Sequence, residues 1–151
     1  MTHRTMNGII RNFAPGIWGP QFEEPYTVVG TFLWGDVQRC IKSCDHYIHA
    51  ALDVATGNHE TREIGGNSSI VRMMPSWVLI GDRHDDIPKP QIISVDAFVS
   101  ALHYWKSIVE SWDGNNSPVN PPKFTYDDPQ PVPPKSEEEA ALEFKQTLKH
   151  W

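Results

Sequence analysis

The sequence predicts an α+β fold: an antiparallel sheet packed against two main helices, with a proline-rich C-terminal arm and a terminal helix. Three observations predict it. Two long segments carry apolar residues at steps of three and four, the spacing of one helix face. Short runs rich in β-branched and aromatic residues precede and separate them, as strands do. Seven prolines fall in the seventeen residues from Pro118 to Pro134, and proline excludes both helix interior and central strand. Helices separated by a hairpin favour an antiparallel sheet.

Taken in chain order, residues 8–13 and 26–33 are expected strands. Between them, Pro15-Gly16-Ile17-Trp18-Gly19-Pro20 reads as a loop pinned by proline and glycine. The first helix is expected over residues 36–56. Val37, Cys40, Ile41, Cys44, Ile48, Ala51, Leu52 and Ala55 form its stripe, with Asp36 as N-cap and Gly57 just past the end. Residues 63–69, Glu-Ile-Gly-Gly-Asn-Ser-Ser, lack the Gly-Lys-Ser/Thr ending of a phosphate loop. They read as a turn with glycine at positive φ, leading into a strand. Residues 69–74 and 77–81 flank Pro75-Ser76 as a hairpin, and residues 91–93 add a short extended piece.

The second helix is expected over residues 95–112. Its stripe is Val95, Phe98, Val99, Leu102, Trp105, Ile108, Val109 and Trp112, capped by Ser94 and followed by Gly114. Ser136 and Glu139 make a capping box that opens a third helix, with Ala141, Phe144, Leu148 and Trp151 as its stripe. A helix this short is marginal alone and needs a surface to dock on. The expected organisation is a domain over 1–114 whose compact part ends near Trp112, a proline-rich linker over 115–135, and a C-terminal helix over 136–151.

The 151 residues carry 19 Asp+Glu against 13 Lys+Arg, a net charge of −6. That balance disfavours nucleic acid, which needs clustered Lys/Arg, and suits a basic partner. The sequence has no apolar run long enough to span a membrane and no apolar leader near Met1, so a cytoplasmic protein without a membrane partner is expected. Cys40 and Cys44 both lie on the first helix's apolar stripe and are expected to be buried, reduced thiols.

Chemistry is sparse. Asp45, His49 and Asp53 share one helix face with His46 nearby, a spacing that can place two ligands on one ion. A small metal-dependent enzyme using Asp45, His46, His49 and Asp53 is therefore the alternative reading; a solvated helix face explains the same residues. The sequence shows no catalytic constellation and implies no cofactor. Asp82, Asp85 and Asp86 cluster in one loop after a hairpin strand, as either a solvated loop or part of an acidic binding surface. Trp18, Trp34 and Trp77 stand at strand or loop ends; of these, Trp18 and Trp77 join the three aspartates as candidates, since tryptophan serves interfaces or covers a core edge. These five residues are the candidate partner-binding set. An adaptor that offers the proline-rich arm to another domain is a third reading.

Asn12-Phe13-Ala14-Pro15-Gly16-Ile17-Trp18-Gly19 resembles the opening of small bacterial immunity proteins from contact-dependent growth inhibition systems. The segments at residues 30–37, Gly-Thr-Phe-Leu-Trp-Gly-Asp-Val, and 63–67, Glu-Ile-Gly-Gly-Asn, follow in a similar order. The resemblance covers about residues 9–112. It implies a cytoplasmic, non-enzymatic antidote that binds the toxic C-terminal domain of a cognate exoprotein. Such toxins are often nucleases with basic active-site surfaces. The resemblance carries over no inhibitory residue, because contacts vary from pair to pair, and it leaves out the proline-rich segment and the terminal helix.

Overall fold

A computed structural model describes residues 3–112, 114–129 and 136–151, with the backbone alone at His3 and Pro129. Its architecture is α+β, with two antiparallel sheets and four α-helices among the described residues. Strands β1 (His3–Ala14), β2 (Ile17–Phe22) and β7 (Phe124–Pro129) form one sheet in the order β2-β1-β7. Strands β3 (Arg62–Gly65), β4 (Ser69–Met73), β5 (Trp77–Asp82) and β6 (Gln91–Ser94) form the other, a meander in chain order. The helices are α1 (Thr27–Phe32), α2 (Ile41–Ala55), α3 (Val95–Trp112) and α4 (Glu137–Leu148).

Strand alternation explains the layers. Val71, Met73, Val78, Ile80 and Ile93 point into the main core with α2 and α3. Ile70, Leu79 and Ile92 point the other way and meet Ala140 and Phe144 of α4. The four-stranded sheet is thus covered on both faces, which is why Val78, Leu79 and Ile80 run apolar without alternation. The hairpin expected around Pro75-Ser76 is present, closed by the Met74 N–H donating to the Trp77 carbonyl at 2.9 Å.

Helix α3 keeps the expected range, and its buried positions reproduce the expected stripe except at Val99, which is half-buried. The Ser94 hydroxyl accepts from the Ala97 N–H at 3.0 Å, and Gly114 takes φ +73° just beyond the end. Gly57, at φ +85°, likewise ends α2. The capping box of Ser136 and Glu139 is complete.

Residues 26–33, expected as a strand, form α1 and enter a π-helical turn, Leu33–Val37. A short, nearly continuous apolar run does not distinguish a strand from a buried helix, and Val28, Val29, Phe32 and Leu33 are all buried. The first long helix starts at Ile41 rather than Asp36. Gln38 takes φ +60° and interrupts the chain, with its carbonyl accepting from the Trp105 indole N–H at 2.7 Å. Asp36 is no N-cap: its carboxylate accepts from the backbone N–H of Ser68 at 2.8 Å and of Ser69 at 2.9 Å. The buried face of α2 is Cys44, Tyr47, Ile48, Ala50, Ala51 and Val54, while Ile41, Leu52 and Ala55 are exposed.

Of the loop expected over residues 15–20, only Pro15-Gly16 is a turn, with Gly16 at φ +76°; Trp18 lies in β2, paired with Asn12 of β1. Part of the glycine-rich segment 63–69 is strand β3, and neither Gly65 nor Gly66 has positive φ. Both are sites of close approach instead. A Cβ at Gly65 would stand 2.6 Å from the Trp151 ring, and one at Gly66 would collide with the Asp36 carboxylate. The compact structure also continues past Trp112. Phe124–Pro129 pairs with β1 at the sheet edge, where proline is tolerated. Phe124 is buried, and buried Asp128 accepts the Ser94 N–H at 3.0 Å, joining the two sheets. Pro131, Pro133 and Pro134 lie outside the described residues.

Candidate interaction surface

The five candidate residues do not form one patch. Trp77 and Asp82 open and close β5, five residue steps or roughly 17 Å apart. Trp77 packs beside Leu79 and Phe144 in the cluster under α4. Trp18 belongs to the other sheet and packs, half-buried, against the main core.

Within the acidic loop, Asp82 holds the local turn by accepting the His84 N–H at 2.9 Å. Arg83 donates to the Gly66 carbonyl at 2.8 Å, and His84 Nε2 stands 2.8 Å from the Asn67 carbonyl. The loop is therefore clasped to the segment that Asp36 anchors, and Asp85 and Asp86 are left exposed. Asp85 lines a cleft of about 370 Å³ with Glu24 and Glu137. These three carboxylates arrive from the loop before α1, the loop after β5 and the first residue of α4. Lys89 is the basic residue on its wall. Sequence reading found Asp85 but not its two partners, because tertiary packing alone unites residues 24, 85 and 137.

Next to this cleft lies an apolar groove of about 450 Å³ between β2 and α1, lined by Phe13, Ile17, Gly19, Gly30 and Trp34 among others. Phe13, Ile17 and Trp34 are 54 %, 48 % and 46 % exposed. Two glycines let its walls approach. A Cβ at Gly19 would stand 3.2 Å from the Phe13 ring and 3.3 Å from the Trp34 ring; one at Gly30 would stand 3.1 Å from the Pro20 carbonyl oxygen. Thr27 lines both the apolar groove and the acidic cleft, so the two adjoin at the start of α1.

On α2, His46 and His49 are exposed and Asp45 and Asp53 are half-buried. Asp45 accepts a hydrogen bond from Lys106 Nζ at 2.8 Å. That bond holds the Asp45 carboxyl below its ordinary range and the Lys106 ammonium above its own. Among the described residues, no three His, Cys, Asp or Glu side chains are grouped to hold a metal ion. The thiols also separate. Cys44 is buried, and desolvation pushes it up to about 11. Cys40 is half-exposed just before α2, and hydrogen bonding to Ser43 lowers its pKa. The expectation that both are buried fails at Cys40, because α2 begins after it.

No family model, curated protein or solved structure matches the chain. Among the described residues, no helix is long and apolar enough to cross a membrane.

Proposed function

We propose that this chain is a non-enzymatic immunity protein, acting in the cytoplasm, that binds and neutralises a basic toxin domain. The observation that carries the proposal is the cleft where Glu24, Asp85 and Glu137 converge from three elements. A nuclease must attract phosphate, so its active-site surface carries Lys/Arg. A cleft with three carboxylates and one lysine is complementary to such a surface and repels nucleic acid. The net charge of −6 adds long-range attraction. Asp86, exposed next to Asp85 in sequence, adds to the loop's negative charge, and Asp82 shapes the turn. In this reading Trp18 and Trp77 are packing supports for the two sheets and make no contact with the partner.

The test is protection in cells. The cognate toxin would be the variable C-terminal domain of a large secreted protein encoded immediately upstream. Its induced expression should kill host cells, and co-expression of this chain should restore growth. Glu24→Gln, Asp85→Asn and Glu137→Gln together should reduce that protection at equal expression. Loss of viability regardless of this chain would overturn the proposal.

A further inference from the structure

The outer faces of the two sheets differ in a way the acidic cleft does not explain. Helix α4 covers the four-stranded sheet with Phe144. The outer face of the three-stranded sheet has no such cover among the described residues. Its β7 side is polar: Thr5 donates to Asp127 and Thr125 to Asn7. At the β1–β2 hairpin Ile9, Phe13 and Ile17 are all at least 40 % exposed, and the Arg11 guanidinium stands 5.5 Å from the centre of the Phe13 ring. Trp34 closes over Gly19 from the side of α1, and the groove opens beside it. The groove's own lining carries no charge, with Arg11 at its rim over Phe13, whereas the adjoining cleft carries three carboxylates and Lys89.

We infer that the groove between β2 and α1 and the acidic cleft form one bipartite docking site for a protein segment with an aromatic side chain near a basic one. The aromatic side chain packs in the groove against Ile17 and Trp34, and the basic one reaches Glu24, Asp85 and Glu137. This inference rests on the basic-partner reading above and adds an anchor to it.

Two arguments select this occupant. The first is charge complementarity: an uncharged groove selects an apolar anchor, and the carboxylates beyond Thr27 select a cation. Exposed aromatics around a recess also match the usual anchor sites of protein interfaces, where buried aromatic and Arg side chains dominate affinity. The second is spacing. Trp34 and Thr27 are seven residues apart along α1 and the turn after it, a helical rise of about 10 Å. An extended segment covers that in about three residue steps. An aromatic residue on Trp34 and a basic residue with two residues between them therefore bring the basic side chain to the Thr27 junction, where the acidic cleft begins.

The probe is a capped peptide, Trp-Ser-Ser-Arg-Arg, and its reverse, titrated into the isotope-labelled full chain and followed by NMR. The expected result is saturable shifts of the Trp34 indole, the Gly30 and Thr31 amides and the Asp85 amide along one binding curve. Trp34→Ala should weaken binding about tenfold. Phe13→Ala, at a more exposed site, should act in the same direction if Trp34→Ala perturbs the fold. Asp85→Asn with Glu24→Gln should weaken binding at low salt and remove its salt dependence.

Four results overturn the inference, and they differ in what else they remove. Absence of saturable shifts up to millimolar peptide removes the site. Shifts confined to the acidic cleft and indifferent to Trp34→Ala remove the aromatic anchor and leave the basic-partner reading standing. Shifts confined to the groove and indifferent to the carboxylate variants remove the basic-partner reading at this cleft. Concentration-dependent shifts of the groove amides without peptide give the groove to a second copy of this chain.

Discussion

The Phe144 ring of α4 occupies the space over Gly81 of β5 where a side chain would stand. Phe144 is fully buried there, on a patch made by Ile70, Leu79 and Ile92. Trp151 lies over Gly65 and His150 Nδ1 stands 3.1 Å from a Glu63 oxygen, so the C-terminal segment crosses the sheet from β6 to β3. Two glycines in a sheet thus mark where α4 and the residues after it lie on the sheet.

Gly81→Ala should expel that ring, at a cost of about 1–3 kcal/mol from overpacking. Phe144→Ala should cost about 3–5 kcal/mol through lost burial and the cavity left behind. In both variants hydrogen exchange should show the α4 amides losing protection while the α3 amides keep theirs. Unchanged α4 protection in both variants would show that the helix is not held at this point.

Leu102 on α3 is fully buried in the main core. Leu102→Ala should lower unfolding free energy by about 2–5 kcal/mol. A loss below about 1 kcal/mol in urea titration, the range of surface changes, would contradict its placement.

Asp36 gives the acidic loop its foundation, since both its carboxylate oxygens accept from backbone N–H groups in the segment to which Arg83 and His84 attach. Asp36→Ala strands two donors and should cost roughly 1–3 kcal/mol for each that stays buried. Asp36→Asn keeps one acceptor oxygen and should cost less. Equal stability of the two variants would show that the carboxylate is not an anchor.

The two thiols should react differently. Hydrogen bonding lowers the Cys40 pKa, and its side chain is accessible, so a thiol reagent should label it in the native protein. Cys44 should react only on unfolding. Mass spectrometry after limited labelling distinguishes them, and native-state modification of Cys44 would contradict the packing of α2.

The same burial makes the fold sensitive to alkali. Desolvation raises Cys44 from 9.0 to about 11, and raises Tyr26 and Tyr47 from 10.0 to about 12. Between each pair of values the unfolded chain has released a proton that the folded chain still holds. Stability is therefore complete below about pH 9 and falls as pH rises further. The urea midpoint should decline above that pH, and Cys44→Ser should reduce the decline in its first part. A flat profile to pH 11 would contradict these buried positions.

Legibility in the sequence followed the length of each signal. Helix α3 offered eighteen residues of one unbroken period, and its range and caps were readable. Residues 26–33 offered only one short apolar run, and the choice between strand and helix turned on core contacts absent from local sequence. The start of α2 was misplaced because Asp36 makes a good cap in isolation. Its carboxylate serves a loop more than thirty positions away. Strand β7 was hidden because prolines dominate its surroundings, although Phe124-Thr125-Tyr126 carries a strand's composition. At the site, Asp85 was visible as part of a charged run. Glu24 and Glu137 were not, because Glu24 is one of a Glu-Glu pair before a proline and Glu137 stands in a helix-capping context. Trp34 shares its place at an element end with Trp18 and Trp77 but stands outside the candidate set, because sequence shows no exposure.

The central claim is that the cleft of Glu24, Asp85 and Glu137 receives a basic protein partner. Its most direct measurement is the association rate of the purified toxin domain with this chain and with the Glu24→Gln, Asp85→Asn, Glu137→Gln variant, at low and at high salt. The account predicts rapid binding by the wild type that slows as salt rises, and slower, nearly salt-independent binding by the variant. Equal rates and equal salt dependence for the two proteins would contradict it.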